Sequence, residues 1–217
     1  MLTLRRALIA AAFTILPLVR GAAQAPTRVE VSITNTVGGL RGAPLVRSVN
    51  VFADRELREM MHSGFPARLH YRLELWGAEG FFDNMKRQVE WDVIVRYNPL
   101  KRRYTATRIE GDRITALGSF DNLDPVEEIL SHAIQPTFVV PDGHDKYYYN
   151  VVLDVQMLSV SDLDEVERWL KGDLGPAAHG DKNPATAIGK GAKTLITKLL
   201  GGQEKHYEAR SKMFRPR

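Results

Sequence analysis

The sequence contains no cysteine, and this absence excludes several kinds of chemistry. Without a thiol among its 217 residues, the chain forms no disulfide, offers no thiolate nucleophile and builds no cysteine-based zinc site. The sequence also lacks the His-Glu-x-x-His zinc signature, the Gly-x-Ser-x-Gly nucleophile elbow and a complete phosphate-binding glycine loop. We therefore predict no enzyme of these types, and we expect no cofactor.

Long apolar runs are missing after the first 25 residues. A helix that spans a bilayer needs about 20 apolar residues, and the run Ala7–Val19 is shorter. Two arginines precede this run, and the small residues of Gly21–Ala25 follow it, an order typical of a secretory signal peptide. We predict a signal peptide over residues 1–25, cleaved after Ala23 or Ala25, with an uncleaved anchor as the alternative. The mature chain is then exported, and periplasmic or envelope-associated.

The formal net charge of +4 is unevenly distributed along the chain. Residues 26–170 carry 17 basic and 22 acidic side chains, whereas residues 171–217 carry 10 basic and 4 acidic ones. The sequence thus combines a mildly acidic body with a basic C-terminal part. We expect no nucleic-acid partner.

Alternation of apolar and polar residues dominates the predicted domain, residues 26–173, and is typical of half-buried strands. Short turns separate the alternating segments, which favours an antiparallel meander. The segment Gly38–Pro44 is rich in Gly and Pro and is expected to be a loop. The predicted strands are residues 29–34, 49–53, 68–76, 88–97, 102–109, 113–120, 137–140 and 147–157.

Three short helices are predicted at the periphery of this sheet. The first begins at the cap Asp54 and ends near Gly64, and the second covers Asp124–Pro136, with Glu127 as its capping-box residue. The third covers Ser161–Gly172. The predicted fold is mainly β (α+β), an antiparallel β-sandwich-like domain of about eight strands. Any chemistry is expected at the rim of the sheet or in the basic C-terminal part.

The C-terminal part is predicted to contain a linker, residues 174–184, and a basic amphipathic helix followed by a disordered tail, residues 185–217. A basic amphipathic helix can lie on an anionic membrane, but it can also dock on the body or on a partner protein. A flexible tail without a contact is the third alternative. The residues predicted to contact a membrane or partner are Ile188, Lys190, Lys193, Leu195, Ile196, Lys198 and Leu199.

The loop after Pro141 holds the residues that most resemble a ligand-binding cluster. Asp142, His144 and Asp145 offer two carboxylates and one imidazole, a set able to contact a divalent metal. The alternative is a solvated hairpin loop, since Asp and Gly suit turns for backbone reasons. We favour the loop, because a metal site needs further ligands from elsewhere, and we predict no catalytic or metal residues.

Two further surface features carry weaker expectations. The three consecutive tyrosines at 147–149 alternate in direction, so at least one ring is expected outside the core. Several arginines of neighbouring strands would form a basic face, but acidic residues lie among them, so a mixed, solvated surface is expected. These arginines are Arg68, Arg72, Arg96, Arg102 and Arg103.

Turn and strand-end motifs of the body resemble those of an exported bacterial family known as domain of unknown function 4390. They are Ser63-Gly64-Phe65-Pro66 before the strand 68–76, Trp91–Tyr97 with Asn98-Pro99-Leu100 and Arg102-Arg103-Tyr104, Phe120 before Glu127, Leu153-Asp154-Val155, and Glu167-Arg168-Trp169-Leu170. The resemblance covers roughly residues 28–173 and implies a signal peptide and an envelope location. It implies no catalytic residues.

The sequence as a whole favours an exported, non-catalytic binding or interaction module of the cell envelope. Its partner would be an unknown protein or an anionic membrane surface, contacted through the C-terminal segment. A carrier of a small ligand or lipid is the alternative, with a pocket between the sheets or under the second helix. A hydrolytic or metal-dependent enzyme that uses His144 is the third hypothesis.

Overall fold

The computed structural model describes six segments of the chain. These segments form eight strands in two antiparallel sheets and two α-helices, so the prediction of a mainly β, antiparallel chain is confirmed. The helices of these segments are too short or too polar to cross a membrane. The described residues are 25–34, 42–78, 82–137, 140–141, 145–158 and 204–216.

A two-stranded sheet and the first helix occupy the N-terminal part of the fold. Strand β1 (Arg28–Thr34) pairs antiparallel with β2 (Ala43–Val49). A 3-10 turn, Val51–Ala53, leads to helix α1 (Arg55–His62). The side chain of Asp54 accepts hydrogen bonds from the first turn of α1, which confirms the predicted cap.

The strand predicted over residues 49–53 is wrong, because the second strand ends at Val49. Asn50 adopts the left-handed conformation with φ 58°, which interrupts an extended strand. Val51 and Phe52 are both buried, whereas consecutive residues of a strand point to opposite faces. Pro44 lies within β2 rather than in a loop, and this two-stranded edge position tolerates a residue without an N–H.

The large sheet has six strands in the order β6-β5-β4-β3-β7-β8. The four strands β3 to β6 form the predicted meander, and β7 pairs with the free side of β3. Helix α2 (Asp124–Ser131) connects β6 to β7. The strands are β3 Ala67–Gly77, β4 Asn84–Asn98, β5 Arg103–Glu110, β6 Arg113–Phe120, β7 Tyr147–Met157 and β8 Glu204–Arg210.

Two predictions about the C-terminal half are wrong. Thr137 and Val140 belong to no strand, and the segment predicted to be a disordered tail contains β8, which pairs antiparallel with β7. Strand β8 is stabilised by this ladder and by Tyr207 and Ala209, which pack against the core. The predicted third helix, the linker and residues 1–24 of the signal peptide lie outside the described residues.

One apolar core joins the large sheet, the small sheet and both helices. The odd-numbered residues of β3 face this core, as the alternation predicts, and Leu69, Leu73 and Leu75 are fully buried. Helix α1 contributes Met61 and helix α2 contributes Val126. Full burial of one such side chain contributes about 1.5–3 kcal/mol. The opposite face of the large sheet therefore remains for polar residues.

Candidate functional site

The polar face of the large sheet contains buried charges at its centre. We use the name polar face for the side on which the even-numbered residues of β3 lie. Arg68, Glu74 and Asp92 are only 3%, 8% and 9% exposed on this face. The mixed surface that the sequence predicts is therefore not solvated at these three positions, where the charged groups are buried. A buried charge without a partner is strongly unfavourable. The partners of these groups therefore determine whether the charges are compensated.

Asp92 on β4 is the acceptor at the centre of this face. Its Oδ1 lies 2.9 Å from Arg68 Nε and 2.9 Å from His70 Nδ1, both on β3. Arg68 also donates to Gln156 on β7, at 3.2 Å. Burial opposes ionisation of Asp92, but the hydrogen bond from His70 and the charge of Arg68 outweigh it, so the pKa of Asp92 lies below its usual value.

Carboxylates and imidazoles alternate across four neighbouring strands of the polar face. His70 is in register with Asp92 on one side and with Asp154 on the other, and Asp154 is in register with His206 on β8. His206 Nδ1 lies 2.6 Å from Asp154 Oδ1. Among the described residues, no three such side chains converge in a way that would hold a metal ion. Hydrogen bonds connect His70 to Asp92 and His206 to Asp154 along this row.

Glu74, the second buried carboxylate of the polar face, is also satisfied. It accepts hydrogen bonds from Arg72 and Trp76 on its own strand, each at 2.9 Å, and from Asn150 on β7, at 3.2 Å. Three donors on two strands therefore hold this carboxylate. The polar face is thus a set of mutually compensated charges.

The arginines for which the sequence predicted a mixed surface lie in different regions of the fold. Arg68 and Arg72 lie on the polar face, paired with Asp92 and Glu74. Arg102 lies in the β4–β5 turn and lines a cleft beside helix α1. A continuous basic face is therefore not formed by these arginines.

An open cleft lies beside α1. It has a volume of about 720 Å³ and lies between α1, the β4–β5 turn and the start of α2. We call it the arginine cleft. Its charged lining residues are Arg55, Arg58, Glu59, Arg102, Asp121 and Asp124.

Three rings are in contact on the wall of the arginine cleft. The ring of His62 stacks on Tyr97 with centroids 4.7 Å apart, and Tyr97 contacts Tyr104 at 4.8 Å. His62 Nδ1 lies 3.5 Å from the Tyr104 hydroxyl. Burial raises the pKa of Tyr104 above its ordinary value, so this hydroxyl is a neutral hydrogen-bond donor at physiological pH.

The three arginines of the cleft differ in their partners. Arg55 pairs with Glu59, with Nε and Oε1 2.6 Å apart. Within the described part of the chain, no hydrogen bond or ion pair engages the side chain of Arg58 or of Arg102. Arg102 has a φ of 51°, a left-handed conformation that costs a residue other than glycine about 1–2 kcal/mol.

A second, much smaller cavity lies under helix α2. Its volume is about 60 Å³, and Tyr71, Trp91 and Arg108 are among its lining residues. Arg108 Nε is buried there without a hydrogen-bond partner. This volume is far below the 300–1,000 Å³ typical of a site for a drug-sized ligand, so the cavity has room only for a very small molecule such as water.

The loop residues proposed from the sequence are only partly described. Asp145 is exposed and lies 3.5 Å from the Tyr147 hydroxyl, whereas Asp142 and His144 lie outside the described residues. The residues predicted to contact a membrane, from Ile188 to Leu199, also lie outside them. Tyr148 lies on the polar face, stacked parallel to Trp76 with centroids 6.4 Å apart. Its ring is directed away from the main apolar cluster, but Tyr148 is only 6% exposed.

Sequence reasoning missed the arginine cleft, because its residues come from three separate segments. The only local signal is Arg102, which follows the Pro99 turn and occupies a position that favours glycine. In comparisons with known proteins, no family model, no curated protein and no solved structure matches the chain. The family resemblance inferred from the turn motifs stays a prediction.

Proposed function

We propose that the chain is an exported, non-catalytic binding module of the cell envelope. The observation that carries the proposal is the pairing of β8 with β7, in which Gln156 lies opposite Glu204. Both ends of the intervening segment, residues 159–203, therefore start from the same end of the sheet. The basic amphipathic residues within this segment belong to a connection between strands and not to a free tail.

A connection held at both ends suits a contact surface better than a free tail does. The sheet anchors the segment, so less chain entropy is lost when it binds. Its lysines, Lys190, Lys193 and Lys198, would contact anionic lipid headgroups while Leu195, Ile196 and Leu199 enter the headgroup layer. An anionic membrane surface is the partner we propose, and a protein partner is the outcome that the test distinguishes.

The described side chains support a binding module more than an enzyme or a carrier. The buried carboxylates Asp92 and Glu74 are engaged by several donors, which leaves neither free to act as a base. The cavity of about 60 Å³ under α2 is too small for a lipid. We also propose that the small sheet packs on the large one in a sandwich-like arrangement with a filled core.

The membrane contact is tested by replacing residues 159–203 with a short Gly/Ser linker. Because β7 and β8 are adjacent and antiparallel, a short loop joins them without loss of the strand, whereas truncation would remove β8. Co-sedimentation with vesicles of anionic and of zwitterionic lipid measures the binding. We expect the original chain to bind anionic vesicles, and we expect the replacement to abolish this binding.

A matched pair of lysine variants sharpens this test. Replacing Lys190, Lys193 and Lys198 with Gln is expected to weaken vesicle binding roughly a hundredfold, at about 1 kcal/mol per lysine. The control replaces three exposed lysines elsewhere, Lys101, Lys146 and Lys212, with Gln, which changes the net charge equally. Equal effects of both triple variants would contradict the proposal. Binding to envelope proteins, but not to lipid vesicles, would replace the membrane with a protein partner.

Export is tested separately by expressing the full chain with a C-terminal tag. The mature protein is expected in the periplasmic fraction, with an N-terminus at Gln24 or Pro26. A protein that keeps its first residues and stays in the cytoplasm would contradict this part of the proposal.

A further inference from the structure

The arginine cleft points to a binding site for an oxyanion, and we propose that Arg58 and Arg102 hold a phosphate or carboxylate group there. This site goes beyond the proposed membrane contact, because it uses only the described residues of the body. A test of this site therefore does not depend on residues 159–203.

The charges of the cleft leave two cations available. The lining is formally balanced, but Glu59 is paired with Arg55, and Asp121 lies 3.5 Å from Arg103. Arg58 and Arg102 then remain without a partner in the part of the chain that the structure describes. Asp124 is the one other carboxylate of the lining, and it lies in the first turn of α2, where the helix dipole stabilises its charge.

The guanidinium group suits an oxyanion for geometric reasons. Its donors form a planar fork that matches two oxygens of a carboxylate or phosphate. The Tyr104 hydroxyl and the exposed His62 ring on the adjoining wall supply further hydrogen-bonding groups. A concavity with two cations and further hydrogen-bonding groups can bind an anion more tightly than a flat, fully solvated surface can.

The backbone of the β4–β5 turn fixes the position of Arg102. The β4–β5 turn holds Arg102 at φ 51°, where glycine would be the unstrained residue. The turn is fixed by Asn98, whose side chain accepts a hydrogen bond from the Lys101 N–H at 3.0 Å. The fold therefore holds the base of the Arg102 side chain in place before a ligand arrives, which reduces the entropy lost on binding.

The site is tested by titrating the full chain with sodium phosphate at constant ionic strength, with sodium chloride as the reference salt. NMR spectra of the arginine Nε–Hε groups measure the response, and Arg58 and Arg102 are assigned by substitution. We expect saturable shifts of these two signals. Arg58→Gln and Arg102→Gly are each expected to weaken binding about tenfold or more.

Two variants separate binding from folding. Arg102→Gly removes the side chain but suits the left-handed backbone, so its thermal midpoint is expected to be unchanged or higher. Arg113→Gln removes an exposed arginine outside the cleft and is expected to bind phosphate normally. The proposal is overturned if phosphate causes no saturable shift, or if Arg102→Gly binds as tightly as the original chain.

The origin of the anionic group is distinguished by a second arm. Vesicles that contain phosphatidylglycerol are compared with soluble phenyl phosphate and benzoate in the same spectra. If the Arg58 signal shifts only with the soluble anions, the ligand is a free anion. If it also shifts with the vesicles, and Arg102→Gly abolishes that shift, the ligand is a lipid headgroup. The lysine variants of residues 159–203 change no residue of this cleft. The phosphate titration can therefore be interpreted even if those variants show that the segment does not bind membranes.

Discussion

Arg68 and Asp92 form a buried ion pair on the polar face, with Nε and Oδ1 2.9 Å apart and both residues less than 10% exposed. The two residues lie diagonally on the central strands β3 and β4. Removal of one partner from a buried pair leaves an uncompensated charge and destabilises a protein by about 3–5 kcal/mol. The pair is therefore expected to be a major determinant of stability.

We expect Asp92→Asn to lower the free energy of unfolding at pH 7 by about 3 kcal/mol, because Arg68 loses its counter-ion. Urea denaturation measures the change. The exposed pair of Arg55 and Glu59 provides the control, since Glu59→Gln removes a surface ion pair and should change stability by at most about 0.5 kcal/mol. Similar effects of the two variants would contradict the importance of the buried pair.

The stability of the protein is expected to fall in acid partly through Asp92. Its pKa is lowered in the folded state, so the folded state favours its ionised form. The resulting stabilisation is fully present above the unfolded pKa of about 3.9 and is lost as the pH falls through the folded pKa. Urea denaturation between pH 2 and pH 7 should show a smaller acid-side loss for Asp92→Asn than for the original chain.

The buried hydroxyls of Ser48 and Tyr71 share a hydrogen bond of 2.7 Å between the small and the large sheet. Tyr71→Phe is expected to destabilise the protein by about 1–3 kcal/mol, because the Ser48 hydroxyl stays buried without its partner. Ser48→Ala in the same chain should recover part of that loss. A double-mutant cycle by thermal denaturation measures the coupling, and additive effects would show that the hydroxyls act separately.

Glu127 joins α2 to the start of the fold. Its carboxylate accepts hydrogen bonds from the backbone N–H groups of Val51 and Phe52, each at 3.0 Å. We expect Glu127→Ala to lower stability by at least about 2 kcal/mol, because two buried donors lose their acceptor, while Glu127→Gln should lower it less. Exposed Glu128 is the matched control, and Glu128→Ala with an equal effect would refute this role.

Strand β8 and the residues after it are expected to be part of the folded domain. Phe214 stacks on Tyr149 with centroids 5.1 Å apart, and a Cβ added at Gly42 would lie 2.6 Å from the Phe214 ring. Phe214→Ala is expected to cost about 3 kcal/mol. Hydrogen exchange should show protected amides in β8 of the original chain, and rapid exchange throughout residues 204–210 would disprove the pairing.

Strand positions on the large sheet could be predicted because they depend on local pattern. The alternation in β3 and β7 produces one apolar face, and this face is buried in the structure. The second strand and β8 were mispredicted for the opposite reason. Val51 and Phe52 are apolar neighbours in a 3-10 turn, and β8 is too polar to be distinguished from a solvated tail until it pairs with β7.

Glu127 shows the same limit for a single side chain. The sequence predicts a capping-box residue of α2, because the spacing from Asp124 fits that motif. In the fold its carboxylate instead binds N–H groups 75 and 76 positions away. Local spacing predicts that this carboxylate accepts hydrogen bonds from backbone N–H groups. The packing of α2 near the 3-10 turn determines which N–H groups donate them.

The sequence by itself determined the strand-rich architecture, the direction in which β3 presents its apolar side chains and the cap at Asp54, because each depends on residues a few positions apart. Tertiary structure alone decided that β8 closes the sheet edge beside β7, that Arg68 and Asp92 are buried together, and that α1 meets the β4–β5 turn at the arginine cleft. These features depend on pairings between distant segments, whose energies arise only when the backbone brings the groups into contact.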